Sequence, residues 1–168
     1  MKRVRTNGFS LIELLIVVAI ILIIAAIAIP NMLRARISAN EASAASSVRK
    51  IATAEMTYNA AYPTVGYASD LASLGGPAGT CTPSSANACI LDNVLTNGSK
   101  SGYQFVATGI GGTPNVDFVV GAAPLSFNQS GVRNFCIVTD GVLRSLSPAA
   151  LTPPPTTVTG CTNTYGAQ

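Results

Sequence analysis

The sequence contains no histidine, which removes the residue that most often serves as a general base near neutral pH and as a metal ligand. Its seven acidic residues are scattered, and it has no glycine-rich phosphate-binding loop. The cysteines form no C-x-x-C pair, so the spacing typical of a zinc site is also missing. We therefore expect a protein that is not an enzyme and that binds no metal or cofactor.

Charged residues are also scarce, at 10% of 168 residues. The formal net charge is +3, but Lys2, Arg3 and Arg5 lie at the very start, and without them seven basic side chains face seven acidic ones. The basic balance therefore gives no indication of nucleic acid binding. Because Lys and Arg beside a membrane segment stay on the cytoplasmic side, the basic start predicts that the following chain is exported.

A long apolar run near the N-terminus is the main feature present. The run is unbroken over Leu14–Ile29, and with Phe9–Ile12 included it has the length of a membrane span, ~20 residues. The single carboxylate of Glu13 lies at its start, where an ionisable group is costly in lipid and is interpreted as functional. A secretory signal cleaved near Ala26-Ile27-Ala28 is the alternative, but its apolar part would be shorter and would not contain Glu13. A second alternative is that the apolar run is a plain single-pass membrane anchor.

The residues Gly8-Phe9-Ser10-Leu11-Ile12-Glu13, with the basic leader before them and the apolar run after them, resemble the N-terminus of type IV prepilins and pseudopilins. The resemblance covers about the first third of the chain, if the helix continuing past Pro30 is counted. It implies that a prepilin peptidase removes residues 1–8 by cutting after Gly8 and methylates the new terminal amine on Phe9. It also implies that Glu13 serves in assembly, where it pairs with the Phe9 amine of a neighbouring subunit.

The same resemblance implies a function and a location. The chain would be a structural subunit of an extracellular type IV pilus, and its principal partner would be itself in a helical homopolymer. Before assembly it would be a single-pass inner-membrane protein with its head outside the cytoplasm, and assembly machinery would then move it into a surface filament. A pseudopilin of type II secretion, a minor pilin, and an anchored periplasmic enzyme or adhesin are the alternatives.

Residues 9–61 predict one long helix. The part over 9–29 is apolar on all sides, as expected for a membrane span or a filament core. Further on, Leu33, Ile37 and Val48 recur at helical spacing with polar residues between them, which indicates an amphipathic helix. Pro30 removes one backbone hydrogen bond and is expected to bend the helix without ending it, as prolines do at the equivalent place in many type IV pilins.

Residues 62–168 predict a globular head with short strands. Aromatic and β-branched runs separated by glycine and proline indicate strands at Tyr103–Ala107, Val116–Val120 and Asn134–Thr139. Asp140-Gly141 predicts a two-residue hairpin turn. One helix followed by a strand meander gives an α+β, type IV pilin-like fold, with the long N-terminal helix packed on a small antiparallel sheet and a loop-rich C-terminal head.

Four cysteines follow the apolar run: Cys81, Cys89, Cys136 and Cys161. An even number in an exported chain favours disulfides, and the spacing leaves three pairings possible. We prefer Cys81–Cys89, which would staple a loop rich in Pro, Ser and Asn. The other pair, Cys136–Cys161, is similar to the C-terminal disulfides of many type IV pilins and would tie a weakly structured tail, with an exposed Pro153–Pro155 run, to a strand. Two such disulfides and a long head favour a pilin over a pseudopilin.

Overall fold

A computed structural model of the protein describes residues 9–77, 79–148 and 153–167. The predicted leader, residues 1–8, and with it Gly8 at the cleavage site, lies outside the described residues. The chain divides into two compact units, Met1–Ala35 and Arg36–Gln168. The first helix, α1 (Leu11–Ala61), contributes to both units, which are described separately below.

The first unit consists of the early part of α1. Leu, Ile and Ala residues form this helix, and its large apolar side chains are exposed from Leu11 to Leu33. By length and composition α1 is able to cross a membrane. The helix continues through Pro30, as predicted, although the bend at this proline stays a prediction.

The second unit packs the later part of α1 against one face of a six-stranded antiparallel sheet. The strands follow one another in chain order across the sheet. They are β1 (Ser99–Lys100), β2 (Tyr103–Ile110), β3 (Asp117–Pro124), β4 (Asn134–Val138), β5 (Arg144–Leu146) and β6 (Gly166–Ala167). A 3-10 turn at Ala72–Leu74, α2 (Asn93–Thr96) and α3 (Val158–Thr164) complete the described elements. The predicted α+β, type IV pilin-like fold is confirmed.

The main core lies between α1 and the sheet. Residues spaced three or four apart on α1, among them Ala44, Val48 and Ile51, face Phe105, Phe118 and other buried side chains of the sheet. The helix side is rich in alanine, so the strand aromatics fill the space that the small side chains leave. This spacing is what an amphipathic helix on a sheet requires.

The β4–β5 hairpin is wider than the two-residue turn predicted at Asp140-Gly141. The last paired residues are Cys136 and Arg144, which leaves residues 137–143 outside the pairing of these two strands. The Asp140 carboxylate accepts from the Val142 backbone N–H at 2.9 Å, and Leu143 is buried in the main core. The Gly141 N–H donates to the Val138 carbonyl at 2.9 Å, so the chain turns at Thr139-Asp140, one residue before the predicted position, and the residues up to Leu143 then lead to β5 without pairing.

The C-terminal strap, defined here as residues 153–167, covers the opposite face of the sheet. Val119, Cys136 and Val138 of the sheet form a second core with Cys161 and Tyr165 of the strap. The expectation of a weakly structured tail is wrong, because residues 158–164 are helical, and the expectation of an exposed proline run holds only in part, because Pro153 is exposed but Pro154 is buried. The close approach is possible because Gly121 lacks a side chain: a Cβ there would lie 2.7 Å from the Pro155 carbonyl oxygen.

Both preferred disulfide pairings are present in the structure. Cys136 on β4 is bonded to Cys161 on α3, with an S–S distance of 2.02 Å and Cα atoms 5.9 Å apart. Cys81 is bonded to Cys89 across the loop before α2. The first bond holds the strap on the sheet, and the second closes the loop over residues 81–89, with Gly76 of the preceding segment against its sulfur atoms.

Candidate assembly site

The predicted assembly residues lie at the start of α1. Phe9 precedes the helix and is 79% exposed. Ser10 directly precedes the first helical residue, and its backbone N–H donates to Glu13 Oε2 at 2.9 Å. Its carbonyl oxygen accepts from the Leu14 N–H at 3.2 Å. The structure therefore brings the Glu13 carboxylate back over the residue that follows Phe9.

This geometry is half of a capping box, in which a glutamate in the first helical turn accepts from the backbone N–H of the residue before the helix. A carboxylate there is also favoured by the partial positive charge at a helix N-terminus. The pattern Ser10-x-x-Glu13 is the sequence signal for this cap, and the sequence interpretation above did not use it. Glu13 thus has a role within its own helix besides the predicted one between subunits.

Apolar grooves lie along the same part of α1. One, of about 290 Å³, is lined by Leu11, Leu14, Leu15 and Val18. Another, of about 500 Å³, is formed beyond Ala28 by Ile29, Met32 and their neighbours. Side chains at this spacing form the ridges and grooves by which helices pack against one another. The exposed apolar surface of this part of α1 is of the kind that another apolar helix or lipid chains can cover.

Sequence interpretation missed two carboxylates on the inner face of α1, Glu41 and Glu55, which are both buried. They share the helical spacing of the core residues Ala44, Val48 and Ile51, so their position in this pattern was a usable signal. Within the described residues, no group of three or more His, Cys, Asp or Glu side chains is arranged to hold a metal ion.

Glu41 joins α1 to the loop before β4. Its Oε1 accepts from the backbone N–H groups of Val132 and Arg133 at 2.9 and 3.2 Å. Its Oε2 accepts from Arg133 Nε at 2.9 Å and lies 2.8 Å from Arg133 Nη2. The carboxylate is compensated on both oxygens, which makes it a structural anchor of the head.

Comparison with known proteins first identifies the class of N-terminus. The family model described as the prokaryotic N-terminal methylation motif matches residues 3–29. This match includes Gly8, Phe9 and Glu13 and ends where the apolar run ends. The predicted prepilin-type N-terminal motif is thereby confirmed.

Individual relatives are type IV pilins. The chain is 44% identical over 54 residues to the type IV major pilin protein PilA of Myxococcus xanthus, covering 32% of this chain and 24% of that protein. It is 62% identical over 37 residues to the type IV wide pilus major component PilA4 of Thermus thermophilus, covering 22% of this chain and 28% of that protein. The matched segments span about a quarter of the length of either relative. No solved structure matches the chain.

Proposed function

We propose that the protein is a structural subunit of a type IV pilus that polymerises through the apolar part of α1. The observation that carries this proposal is the methylation motif at residues 3–29, followed by a helix whose apolar side chains are exposed from Leu11 to Leu33. The similarity to two major pilins over the N-terminal region supports it.

Maturation is the first step. A prepilin peptidase removes residues 1–8 and methylates the amine of Phe9. Before assembly the apolar run anchors the subunit in the inner membrane, with the basic leader on the cytoplasmic side and the head outside. Mass spectrometry of the native subunit is expected to find a methylated Phe9 as its first residue. A terminus at Ile29 would instead indicate signal peptidase cleavage and would contradict the proposal.

Polymerisation exchanges lipid for neighbouring helices around α1. A repeated contact between two different surfaces that does not close on itself produces a helical fibre. Relative to exposure in water, burying roughly 1,000 Å² of apolar surface at ~25 cal/mol/Å² is worth ~25 kcal/mol before the entropy costs, so a subunit taken out of the membrane needs neighbouring helices to cover its span. Lipid covers the same surface, so the preference for the fibre over the membrane has to come from packing between helices and from specific contacts.

Glu13 would pair with the Phe9 amine of a neighbouring subunit and thereby set the register along the fibre. An unpaired charge among apolar helices is costly, so subunits in the wrong register are disfavoured. The carboxylate also caps its own helix, and a substitution has to separate these two roles.

Two substitutions make this separation. Glu13→Gln keeps an oxygen that accepts from the Ser10 N–H but removes the charge, whereas Glu13→Ala removes both. We expect both variants to be processed after Gly8 and neither to enter sheared filaments at the wild-type yield. Normal filament yield for Glu13→Gln with a defect only for Glu13→Ala would leave the cap as the sole role of Glu13.

Filament composition distinguishes a major pilin from the related alternatives. A major pilin is expected to dominate the protein of sheared surface filaments in quantitative mass spectrometry. A trace amount would indicate a minor pilin. Absence from the surface, with loss of protein export when the gene is deleted, would indicate a pseudopilin.

A further inference from the structure

A buried acid on α1 has no role in the proposed assembly. Glu55 lies on the inner face of the helix and is fully buried. Its Oε2 accepts from the backbone N–H of Ala68 at 2.9 Å. Its Oε1 has no hydrogen-bond partner among the described residues. An ionised carboxylate in this position would leave half of its acceptor capacity unused in an apolar core, which is strongly unfavourable.

The titratable groups that face Glu55 do not compensate a negative charge. Asp70, on the loop packed against α1, is itself acidic and acts on Glu55 through its charge. From the helix side, the phenol of Tyr58 interacts with Glu55 through charge, and burial raises the pKa of Tyr58 further above its ordinary value, so it is neutral at neutral pH and supplies no positive charge. The ion pairs of the described residues involve Glu41, Asp92 and Asp140, and none includes Glu55.

The protonation state follows from this environment. Burial raises the pKa of Glu55 from 4.5 to about 8; the Ala68 hydrogen bond opposes this shift and the nearby Asp70 charge adds to it. Glu55 is therefore protonated in the folded head at neutral pH. Glu41, about four helical turns earlier on the same face, has a different environment, because Arg133 and two backbone N–H groups donate to its carboxylate.

The partner of Glu55 belongs to the crossing segment, defined here as residues 62–71, which leads from the end of α1 to the 3-10 turn. On one side, the segment is bonded to the loop between β2 and β3: the Tyr67 N–H donates to the Asn115 carbonyl at 3.1 Å, and Asn115 Nδ2 donates to the Tyr67 carbonyl at 2.9 Å. On its helix side, Ala68 is held by Glu55. The segment thus lies over the core with the buried carboxyl group under its centre.

We propose that Glu55 and Ala68 form a pH-sensitive latch that keeps the crossing segment closed while the carboxyl group is protonated. Ionisation of Glu55 in the closed state would place an uncompensated charge in the core, whereas opening the segment admits water to the carboxylate. Proton loss is therefore coupled to opening. This inference concerns the head alone and does not depend on the proposed function of the N-terminal helix.

The sign of the pH dependence is determined by the two states. The pKa is about 8 when the segment is closed and near 4.5 when the carboxylate is in water. The closed state binds the proton more tightly than the open state. The resulting stabilisation of the closed state relative to the open one is therefore complete below pH 4.5 and is lost as pH rises towards 8. Between these limits the opening constant is expected to increase about tenfold per pH unit.

Amide hydrogen exchange of the full-length chain in detergent micelles measures this opening. After correction for the intrinsic pH dependence of exchange, the protection of Ala68 is expected to fall about a hundredfold from pH 5.5 to 7.5. Protection of Ala68 is also expected to be at least tenfold lower than that of Val120, in the centre of the sheet, because the opening is local.

Two variants test the assignment to Glu55. Glu55→Gln keeps the shape of the side chain and the acceptor for Ala68 but cannot ionise, so its Ala68 protection is expected to be independent of pH. Glu41→Gln makes the same chemical change on the same face of α1 and is expected to retain the wild-type slope.

Three results would overturn the latch. One is an Ala68 protection in the wild type that does not change between pH 5.5 and 7.5. Another is a wild-type slope in Glu55→Gln. The last is equal protection of Ala68 and Val120, which would mean that Ala68 exchanges only when the whole head unfolds. The wild-type measurements decide the question even if a variant does not fold.

Discussion

The three carboxylates of α1 occupy very different environments although they lie on one helix. Glu13, in the first turn, accepts from the Ser10 N–H at the helix start. Glu41 is buried but ion-paired with Arg133. Glu55 is buried with one hydrogen bond. A single residue type therefore serves as a helix cap, as an anchor and as a titratable group, depending on which donors the surrounding structure supplies.

Replacing Glu41 tests its role as an anchor. Glu41→Ala is expected to lower the free energy of unfolding by about 2–3 kcal/mol, because two backbone N–H groups lose their acceptor and Arg133 loses its partner. The partial exposure of Arg133 keeps the effect below that of a fully buried pair. Urea unfolding of the full-length chain in detergent measures the change.

The matched variant Glu41→Gln retains an oxygen that accepts from Val132 and Arg133. It is expected to lose less stability than Glu41→Ala. A cost below 0.5 kcal/mol for Glu41→Ala, the level of an ordinary surface substitution, would show that the loop before β4 does not depend on this carboxylate.

At the level of elements, the sheet is covered on both faces. α1 packs on one face, and the C-terminal strap packs on the other. This explains why β4 is buried along its whole length and has no alternation of buried and exposed residues. A sheet with both faces covered favours such continuous apolar strands.

Gly121 on β3 is a position where the strap packs directly against the backbone of the sheet. Gly121→Ala would place a Cβ 2.7 Å from the Pro155 carbonyl oxygen, so the strap has to shift. We expect a loss of about 1–3 kcal/mol, the range for overpacking, measured by urea unfolding. Gly166→Ala is the matched control, because a Cβ there meets its nearest atom only at 3.9 Å. Equal stability of the two variants would mean that the strap does not pack tightly on β3.

At the level of the whole molecule, the two units differ in what holds them together. The unit from Arg36 contains both buried clusters and both disulfides. The large apolar residues of the first unit are exposed. The unit from Arg36 therefore has its own core, whereas the apolar surface of the early part of α1 requires lipid or other helices to cover it.

A fragment beginning at Arg36 is expected to be soluble, to unfold cooperatively and to contain both disulfides. Circular dichroism melting and non-reducing peptide mapping measure these properties. A fragment beginning at Ser46 lacks Glu41 and Ala44 and is expected to melt at a lower temperature. Aggregation of the longer fragment, or equal melting temperatures, would contradict this division of the molecule.

The N-terminal motif, the long helix and the fold class of this protein could be predicted from local sequence. The Gly8 to Glu13 motif, the apolar run and the strand patterns of β2, β3 and β4 each depend on neighbouring residues, so composition and periodicity were sufficient to predict the motif, α1 and the α+β class. The cap formed by Ser10-x-x-Glu13 was equally local and was available in the sequence, although the interpretation did not include it.

Long-range contacts decided the rest. Glu41 meets its partners 91 and 92 residues away, and Glu55 meets Ala68 across a turn of the chain, so their donors are not evident from helical spacing. Cysteine spacing left three disulfide pairings, and only the folded sheet and strap place Cys136 beside Cys161. The burial of Pro154 depends on the missing side chain of Gly121, a fact about packing between distant segments that no local pattern contains.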